Sequence, residues 1–308
     1  MHMKVFITGG AGFIGTNLSL ELLKNGYGVK IIDDLSTGLK ENIPVGAEFA
    51  NQSITDINQI KKAIKDCDVV VHLGARGSVP RSIKNPIATH DVNSTGTLNV
   101  LEAARQNGSH YIFSSSSSVY GSNKTLPKNE EMVLRPMTPY AASKLSGEAL
   151  SLAYAKSYDL PVSVFRFFNI FGPWQRPDHE YAAVLPKWIN KCLQDEEIEI
   201  FGDGEQTRDF TYVGTVVKII SSCISNKVLH PEPVNLAYGN SISLNQVIAI
   251  LKKSFPNLKV RYSQTRSGDI LHSKNDPKLI NSLYPERAVK NFEDSLLETI
   301  EWIKSKKS

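Results

Sequence analysis

Lys4-Val-Phe-Ile-Thr8-Gly-Gly-Ala-Gly-Phe-Ile-Gly15 is the stretch that decides how this chain folds. Lys4 to Thr8 has the short apolar pattern of a buried strand, and a helical run follows from Phe13 to about Asn25. Gly10-x-Gly12-x-x-Gly15 therefore falls in a strand-to-helix turn. Glycines there permit a tight bend and let a pyrophosphate approach the backbone, while the N–H groups at the helix start attract its charge. Gly9, Gly12, Phe13, Ile14 and Gly15 are the candidate contacts. A second strand, Gly28-Val-Lys-Ile-Ile-Asp33, ends in an acid about 20 residues on, where a carboxylate accepts from both hydroxyls of a ribose. That carboxylate would repel a 2′-phosphate, so the pattern predicts NAD as the cofactor over NADP. The other reading of Asp33 is that it merely begins a turn ahead of Ser36-Thr37-Gly38.

Strands and helices go on alternating downstream, with no repeat period. Cys67-Asp-Val-Val-Val-His72-Leu73-Gly-Ala75 is another strand, apolar as expected of a parallel sheet covered on both faces. His72, inside that run, reads as a satisfied core histidine. Arg76 and Ser78-Val-Pro-Arg81-Ser82 follow, then a long helix from about Pro86 to Gln106 containing Asn93. His110 to Phe113 is the next strand, and it runs into five serines, Ser114 to Ser118, before Val119-Tyr120-Gly121. Serine runs are usually linkers, but one wedged between a strand and an apolar segment marks the carboxyl end of a strand, where open α/β sheets bind ligands. The expected fold is α/β, a doubly wound parallel sheet of Rossmann type with a smaller C-terminal substrate-binding lobe.

The 308 residues show no composition break that would mark a flexible linker, so two closely joined lobes are expected. Hydrophobic content of 41% and charge of 21% suit a soluble protein with a real core. No apolar run approaches the roughly 20 residues that cross a bilayer, and the chain opens on a strand pattern, so a cytoplasmic protein without a membrane partner is expected. A net charge of +4 and a Lys304 to Ser308 tail that reads as a solvated helix end argue against nucleic-acid binding. Cys67, Cys192 and Cys223 are far apart and odd in number, which points to inert thiols and to no metal site.

Tyr140-Ala-Ala-Ser-Lys144 opens a helix that begins at Pro139. Residues four apart share a helix face, so an ammonium can sit beside a phenol. Lowering a phenol from near 10 to about 7 takes roughly 4 kcal/mol, which one cation a few Å away supplies at an effective dielectric near 20. Spacing alone is ordinary surface chemistry on most helices. The glycine turn, the serine run and this Tyr-x-x-x-Lys together resemble the extended short-chain dehydrogenase/reductase family and, within it, the UDP-hexose 4-epimerases.

The resemblance implies that Tyr140 removes the proton of the sugar 4-hydroxyl while C4 is oxidised by NAD, with Lys144 lowering the phenol's pKa and holding the nicotinamide ribose. Ser116 bonds the reacting oxygen. It extends the cofactor site to Asp34, Ser36, Thr37, Gly38, Ile54, Leu73, Ala75 and Asn93, along with Tyr140 and Lys144. Sister 4,6-dehydratases carry Asp-Glu, and related decarboxylases Glu, directly after the catalytic hydroxyl residue. Here Ser117 and Ser118 stand there, so the acid and base of those reactions are missing and epimerisation is favoured. In many relatives an Asp bonds the adenine amino group, but Gln52-Ser53-Ile54 puts Ser53 there. Weaker cofactor binding is expected, with the Ile54 backbone as a remaining contact.

Val162 to Arg166 is a further strand. The resemblance assigns the nucleotide sugar to Ser78, Ser116, Tyr140, Asn169, Val184 (after Tyr181-Ala-Ala), Arg208, Arg266 and Asp269, two arginines matching a diphosphate. Ser273 takes the position that looks onto the C2 substituent, where a small residue leaves room for an acetamido group. The expected reaction is UDP-GlcNAc/UDP-GalNAc interconversion, with UDP-Glc/UDP-Gal second. A UDP-glucuronate 4-epimerase or decarboxylase, and an NAD-holding regulatory protein, are the alternatives. Residues 1–168 and 212–236 are assigned to the NAD-binding domain, and 169–211 and 237–308 to the sugar-binding lobe. By likeness to the family, a homodimer packs through the Pro86 and Pro139 helices.

Overall fold

A computed structural model describes residues 3–177, 183–265, 271–287 and 289–306. Six strands come first: β1 (Lys4–Thr8), β2 (Gly28–Asp33), β3 (Glu48–Asn51), β4 (Val69–His72), β5 (His110–Ser116) and β6 (Val162–Phe167). Four shorter ones follow: β7 (Ile170–Phe171), β8 (Ile198–Phe201), β9 (Thr207–Arg208) and β10 (Thr211–Tyr212). The chain then returns to the main sheet as β11 (Val234–Leu236) and ends its strands with β12 (Ile242–Ser243) and β13 (Val260–Ser263). The main sheet has seven strands in the order β3-β2-β1-β4-β5-β6-β11, and every pairing in it is parallel. This is the doubly wound fold that the sequence predicts.

Period-two alternation explains why both faces are buried. Val5, Ile7, Ile31, Val69, Val71 and Ile112 face one apolar core, while Phe6, Ile32, Val70, Tyr111 and Phe113 face the other. The first core is closed by α1 (Phe13–Lys24) and the second by α2 (Ile57–Ala63). Strand order reverses between β1 and β4, so a crevice opens at their carboxyl ends. The predicted helix from Pro86 is present and runs unbroken to Asn107. It follows α3 (Val79–Lys84) as α4 (Pro86–His90), a π-turn over Asp91–Thr95, and α5 (Gly96–Asn107). Asn93 lies in the π-turn.

Thr138 caps α6 (Pro139–Tyr158): its hydroxyl accepts from Ala141 N at 3.2 Å, and Pro139 fills the first turn where no N–H is needed. The remaining helices are α7 (Val184–Cys192), α8 (Val213–Asn226), α9 (Leu244–Ser254), α10 (Lys278–Leu283) and α11 (Phe292–Ser305). Ser243 and Gln246 form a capping box at the start of α9. Residues of α7, α8, α9 and α11 share the core that contains Val5 and Ile7, so the later segments pack onto the sheet without a separate interior. Cys67, Cys192 and Cys223 are free and buried. No described helix is long and apolar enough to cross a membrane.

Candidate active site

A cleft of about 720 Å³ lies along the carboxyl ends of the central strands. At one end it is walled by the glycine turn. Gly9 has φ +70°, and a Cβ on Gly15 would stand 2.3 Å from the Gly9 carbonyl oxygen, so these two positions need glycine for the bend and for the close approach. Gly12 caps α1 without a side-chain hydrogen bond, and Thr16 N is the donor that reaches the Gly12 carbonyl, at 2.9 Å. The N–H groups of Phe13, Ile14 and Gly15 thus have no partner inside the helix, and all three residues line the cleft. Such donors are able to receive a diphosphate.

Asp33 is fixed beside it by Ala11 N at 3.0 Å and Leu35 N at 2.9 Å. Burial raises its pKa, and the two backbone donors work in the opposite direction. Asp34, Ser36, Thr37, Ile54, Leu73 and Ala75 also line this end. Gly38 packs behind Asp33, where an added Cβ would lie 3.0 Å from Asp33 Oδ1. Unpartnered donors beside a fixed carboxylate fit a dinucleotide. Ser53 bonds Thr55 Oγ1 at 2.9 Å. Gln52, which the sequence reading passed over, lines the cleft with a buried amide oxygen that has no partner.

Tyr140, Lys144, Ser116 and Ser117 meet at the other end. Lys144 is 5% exposed, and its Nζ donates to the Ser114 carbonyl at 2.8 Å. Desolvation pushes its pKa down to about 8. Ser116 Oγ accepts from Ser118 N at 3.2 Å and from Ser118 Oγ at 2.9 Å. With both lone pairs occupied, its single proton is left for the Tyr140 oxygen, and Ser116 acts to lower the Tyr140 pKa. Ser118 was expected only as a missing carboxylate, yet it sets the direction of Ser116. Besides the lowering that the resemblance expects of Lys144, two further influences act on the Tyr140 phenol. Burial raises its pKa and Ser116 works in the opposite direction, while the ammonium is engaged by the Ser114 carbonyl.

His72 is a satisfied core residue: Nδ1 meets Thr8 Oγ1 at 2.6 Å and Nε2 meets Thr97 Oγ1 at 2.9 Å, and burial pushes its pKa to about 3. Asn93 stands behind the cleft wall, 1% exposed. Its Oδ1 accepts from Arg76 N at 2.7 Å and its Nδ2 donates to Ser143 Oγ at 3.0 Å. Ser78 and Asn169 line the cleft, and Asn169 Nδ2 reaches the Asp209 carbonyl at 3.3 Å. Val184, Arg208 and Ser273 are not among the described residues that line it. Arg208 and Ser273 are neighbours in space, because Ser273 N donates to Thr207 O at 3.1 Å. Tyr181, Arg266 and Asp269 lie outside the described residues.

Comparison with known proteins agrees with this geometry. Residues 5–237 match the NAD dependent epimerase/dehydratase family. The fold superposes on the UDP-N-acetylglucosamine 4-epimerase of Methanobrevibacter ruminantium M1, solved with UDP-N-acetylmuramic acid, with a TM-score of 0.93 and 36% identity over 99% of each chain. It also superposes on the UDP-glucose 4-epimerase of Thermotoga maritima, solved with UDP-glucose, with a TM-score of 0.92 and 33% identity over 99% of this chain and 100% of that one. A UDP-N-acetyl-alpha-D-glucosaminuronate decarboxylase of Bacillus cytotoxicus is 32% identical, over 99% of this chain and 98% of its own. With unpartnered helix-start donors, a fixed carboxylate and Tyr140, Lys144 and Ser116 in one cleft, and a match of this extent, the chain belongs to the NAD dependent epimerase/dehydratase family and is an NAD-dependent enzyme.

Proposed function

We propose that this enzyme inverts C4 of a UDP-hexose, interconverting UDP-GlcNAc and UDP-GalNAc and, second, UDP-Glc and UDP-Gal. The observation that carries the reading is the meeting of Ser116, Tyr140 and Lys144 in one cleft at the end of β5, with serines at 117 and 118 in place of acid and base. The cofactor, when bound, supplies a cationic ring that takes up two electrons and a hydrogen from C4 and returns them. Tyr140 receives the 4-hydroxyl proton, assisted by the Ser116 proton that favours the phenolate. The Lys144 cation adds to the ring's positive charge, and together they offset the burial that raises the phenol. A 4-keto sugar turns over in the pocket, C4 regains its hydrogen on the other face, and Tyr140 returns the proton to the 4-oxygen. With no carboxylate after Ser116, elimination and decarboxylation lack their group.

Ser78, Asn169, Val184, Arg208, Arg266, Asp269 and Ser273 are assigned to the nucleotide sugar. Residues 1–168 with 212–236 are assigned to NAD, and 169–211 with 237–308 to the sugar. A second reading, UDP-glucuronate as substrate, is favoured by Arg76: it lines the cleft, and its buried Nε has no partner. A guanidinium there suits a sugar carboxylate. The homodimer is assigned to the face where Ile83, Ile87 and Leu98 are exposed on α3, α4 and α5. Ile87→Arg should convert it to a monomer in sedimentation analysis, and an unchanged mass would place the contact elsewhere.

The deciding experiment incubates the purified enzyme separately with UDP-GlcNAc, UDP-Glc and UDP-glucuronate and identifies each product. UDP-GalNAc and UDP-Gal are expected. A pentose product, or turnover of the glucuronate alone, would favour the second reading.

A further inference from the structure

Below the cleft, α6 continues the Tyr140–Lys144 face by one more turn to Glu148, which is 2% exposed. Its carboxylate accepts from Arg166 Nε at 3.1 Å on both oxygens, from Arg166 Nη2 at 2.8 Å, and from Ser115 Oγ at 2.7 Å. Arg166, on β6 and 3% exposed, gives its remaining nitrogen, Nη1, to Tyr120 Oη at 3.0 Å and to the Glu130 carbonyl at 3.3 Å. Tyr120 Oη in turn donates to Asn235 Oδ1 at 2.7 Å. Three successive serines at the end of β5 therefore face three successive turns of α6. Lys144 takes the Ser114 carbonyl, Glu148 takes the Ser115 hydroxyl, and Tyr140 meets Ser116 in the cleft.

We propose that Glu148, locked by Arg166, is a positioning residue for the reaction: by holding Ser115 it fixes the Ser114 carbonyl that orients Lys144 and the Ser116 hydroxyl that orients Tyr140. This rests on the epimerase reading for its rate consequences only. Ser115 lies between the two residues that touch the reacting pair, so a shift of its peptide moves both. Glu148 itself stays out of reach of a ligand because both its oxygens are occupied inside the network. The groups around Lys144 are Tyr140 and Glu148 on α6, His72 on β4, the Ser114 carbonyl and Phe113 ring on β5, and Arg166 beyond Glu148 on β6. Misplacement of a catalytic group by 1 Å costs about 100-fold in rate.

Two variants of the NAD-loaded protein test this. Ser115→Ala keeps the ion pair and deletes only the link, and Glu148→Gln removes the carboxylate's charge. The measurements are kcat and KM with UDP-GlcNAc, the thermal midpoint, and the pH at which Lys144 becomes reactive, read by competitive acetylation and peptide mass spectrometry. Ser115→Ala should stay folded with its thermal midpoint lowered by a few degrees, lose about tenfold in kcat with KM within about twofold, and acetylate at Lys144 at lower pH. Glu148→Gln should move the Lys144 titration in the same direction and further, because Arg166 is left unneutralised. If Ser115→Ala turns over and acetylates like the unaltered protein, the network is structural and the proposal fails. Should the unaltered protein act on no UDP-sugar, the epimerase reading falls on that result, while the Lys144 titration still decides the positioning role.

Discussion

Lys144 Nζ and the Ser114 carbonyl oxygen are 2.8 Å apart, so the one ammonium in the catalytic group is tied to the main chain of the sheet. That tie orients the cation and leaves it desolvated. Its pKa falls from an ordinary 10.5 to about 8, a shift worth roughly 3 kcal/mol against the folded state while the group is charged. For a lysine with a depressed folded pKa the cost is full below about pH 8 and fades as pH rises toward 10.5. Lys144→Met should therefore lose about 1,000-fold in kcat. It should nonetheless gain about 1 kcal/mol in urea unfolding at pH 7, after the loss of one hydrogen bond is deducted. A destabilised variant would contradict this.

Ser273 sits one backbone hydrogen bond from Thr207, beside Arg208. If this segment faces the C2 substituent, Ser273→Tyr closes the space for an acetamido group. Activity on UDP-GlcNAc should then fall by about 100-fold while UDP-Glc turnover stays within about threefold. Undiminished activity on the N-acetylated sugar would remove Ser273 from the sugar site.

Gln52 places a buried, unpartnered amide oxygen in the cleft, at the end of β3 next to β2, where Gln52 N donates to Asp33 O at 3.2 Å. An acceptor just beyond the ribose carboxylate suits an adenine amino group. Gln52→Leu should weaken NAD binding by about tenfold in calorimetry, equivalent to one lost hydrogen bond, with little change in thermal stability. Equal affinity in the two proteins would return the adenine contact to the Ile54 backbone alone.

Asp209 is buried, and its Oδ2 accepts from Gly239 N at 2.9 Å and Asn275 N at 3.0 Å. Desolvation outweighs these donors and pushes its pKa from 3.8 up to about 6. A raised carboxyl pKa stabilises the fold while the group is protonated. The contribution is complete below about pH 4 and is lost as pH rises through about 6, roughly 3 kcal/mol in all. The stability of Asp209→Asn relative to the unaltered protein should therefore rise across that window in urea titrations. A constant difference from pH 4 to 7 would contradict the assignment.

Strands β1, β2, β4, β5, β6 and β11 were legible because each apolar run sits between turn signals, whereas β3 has no buried run to show it. Gly12 and Asp33 named the cofactor through their strand-and-helix context. The π-turn inside the Pro86 helix was not legible, since Asp91–Thr95 holds no glycine or proline to mark it. The sign of the Tyr140 shift was hidden for a different reason. Periodicity puts Lys144 beside the phenol, but only the fold reveals the burial that raises its pKa. Glu148 and Arg166 are 18 residues apart and meet across a helix and a strand, a pairing no local pattern encodes. Gln52 was overlooked because attention went to Ser53, whose hydroxyl turns to Thr55.

The central claim is that one phenol and one cofactor oxidise C4 and then restore it within the same pocket. Incubating the enzyme with UDP-GlcNAc carrying deuterium at C4, then analysing the product by mass spectrometry and NMR, tests it most directly. The account predicts UDP-GalNAc of unchanged mass with deuterium kept at C4, and no such product from Tyr140→Phe. Loss of the label to solvent, or a product lighter by water or carbon dioxide, would contradict it.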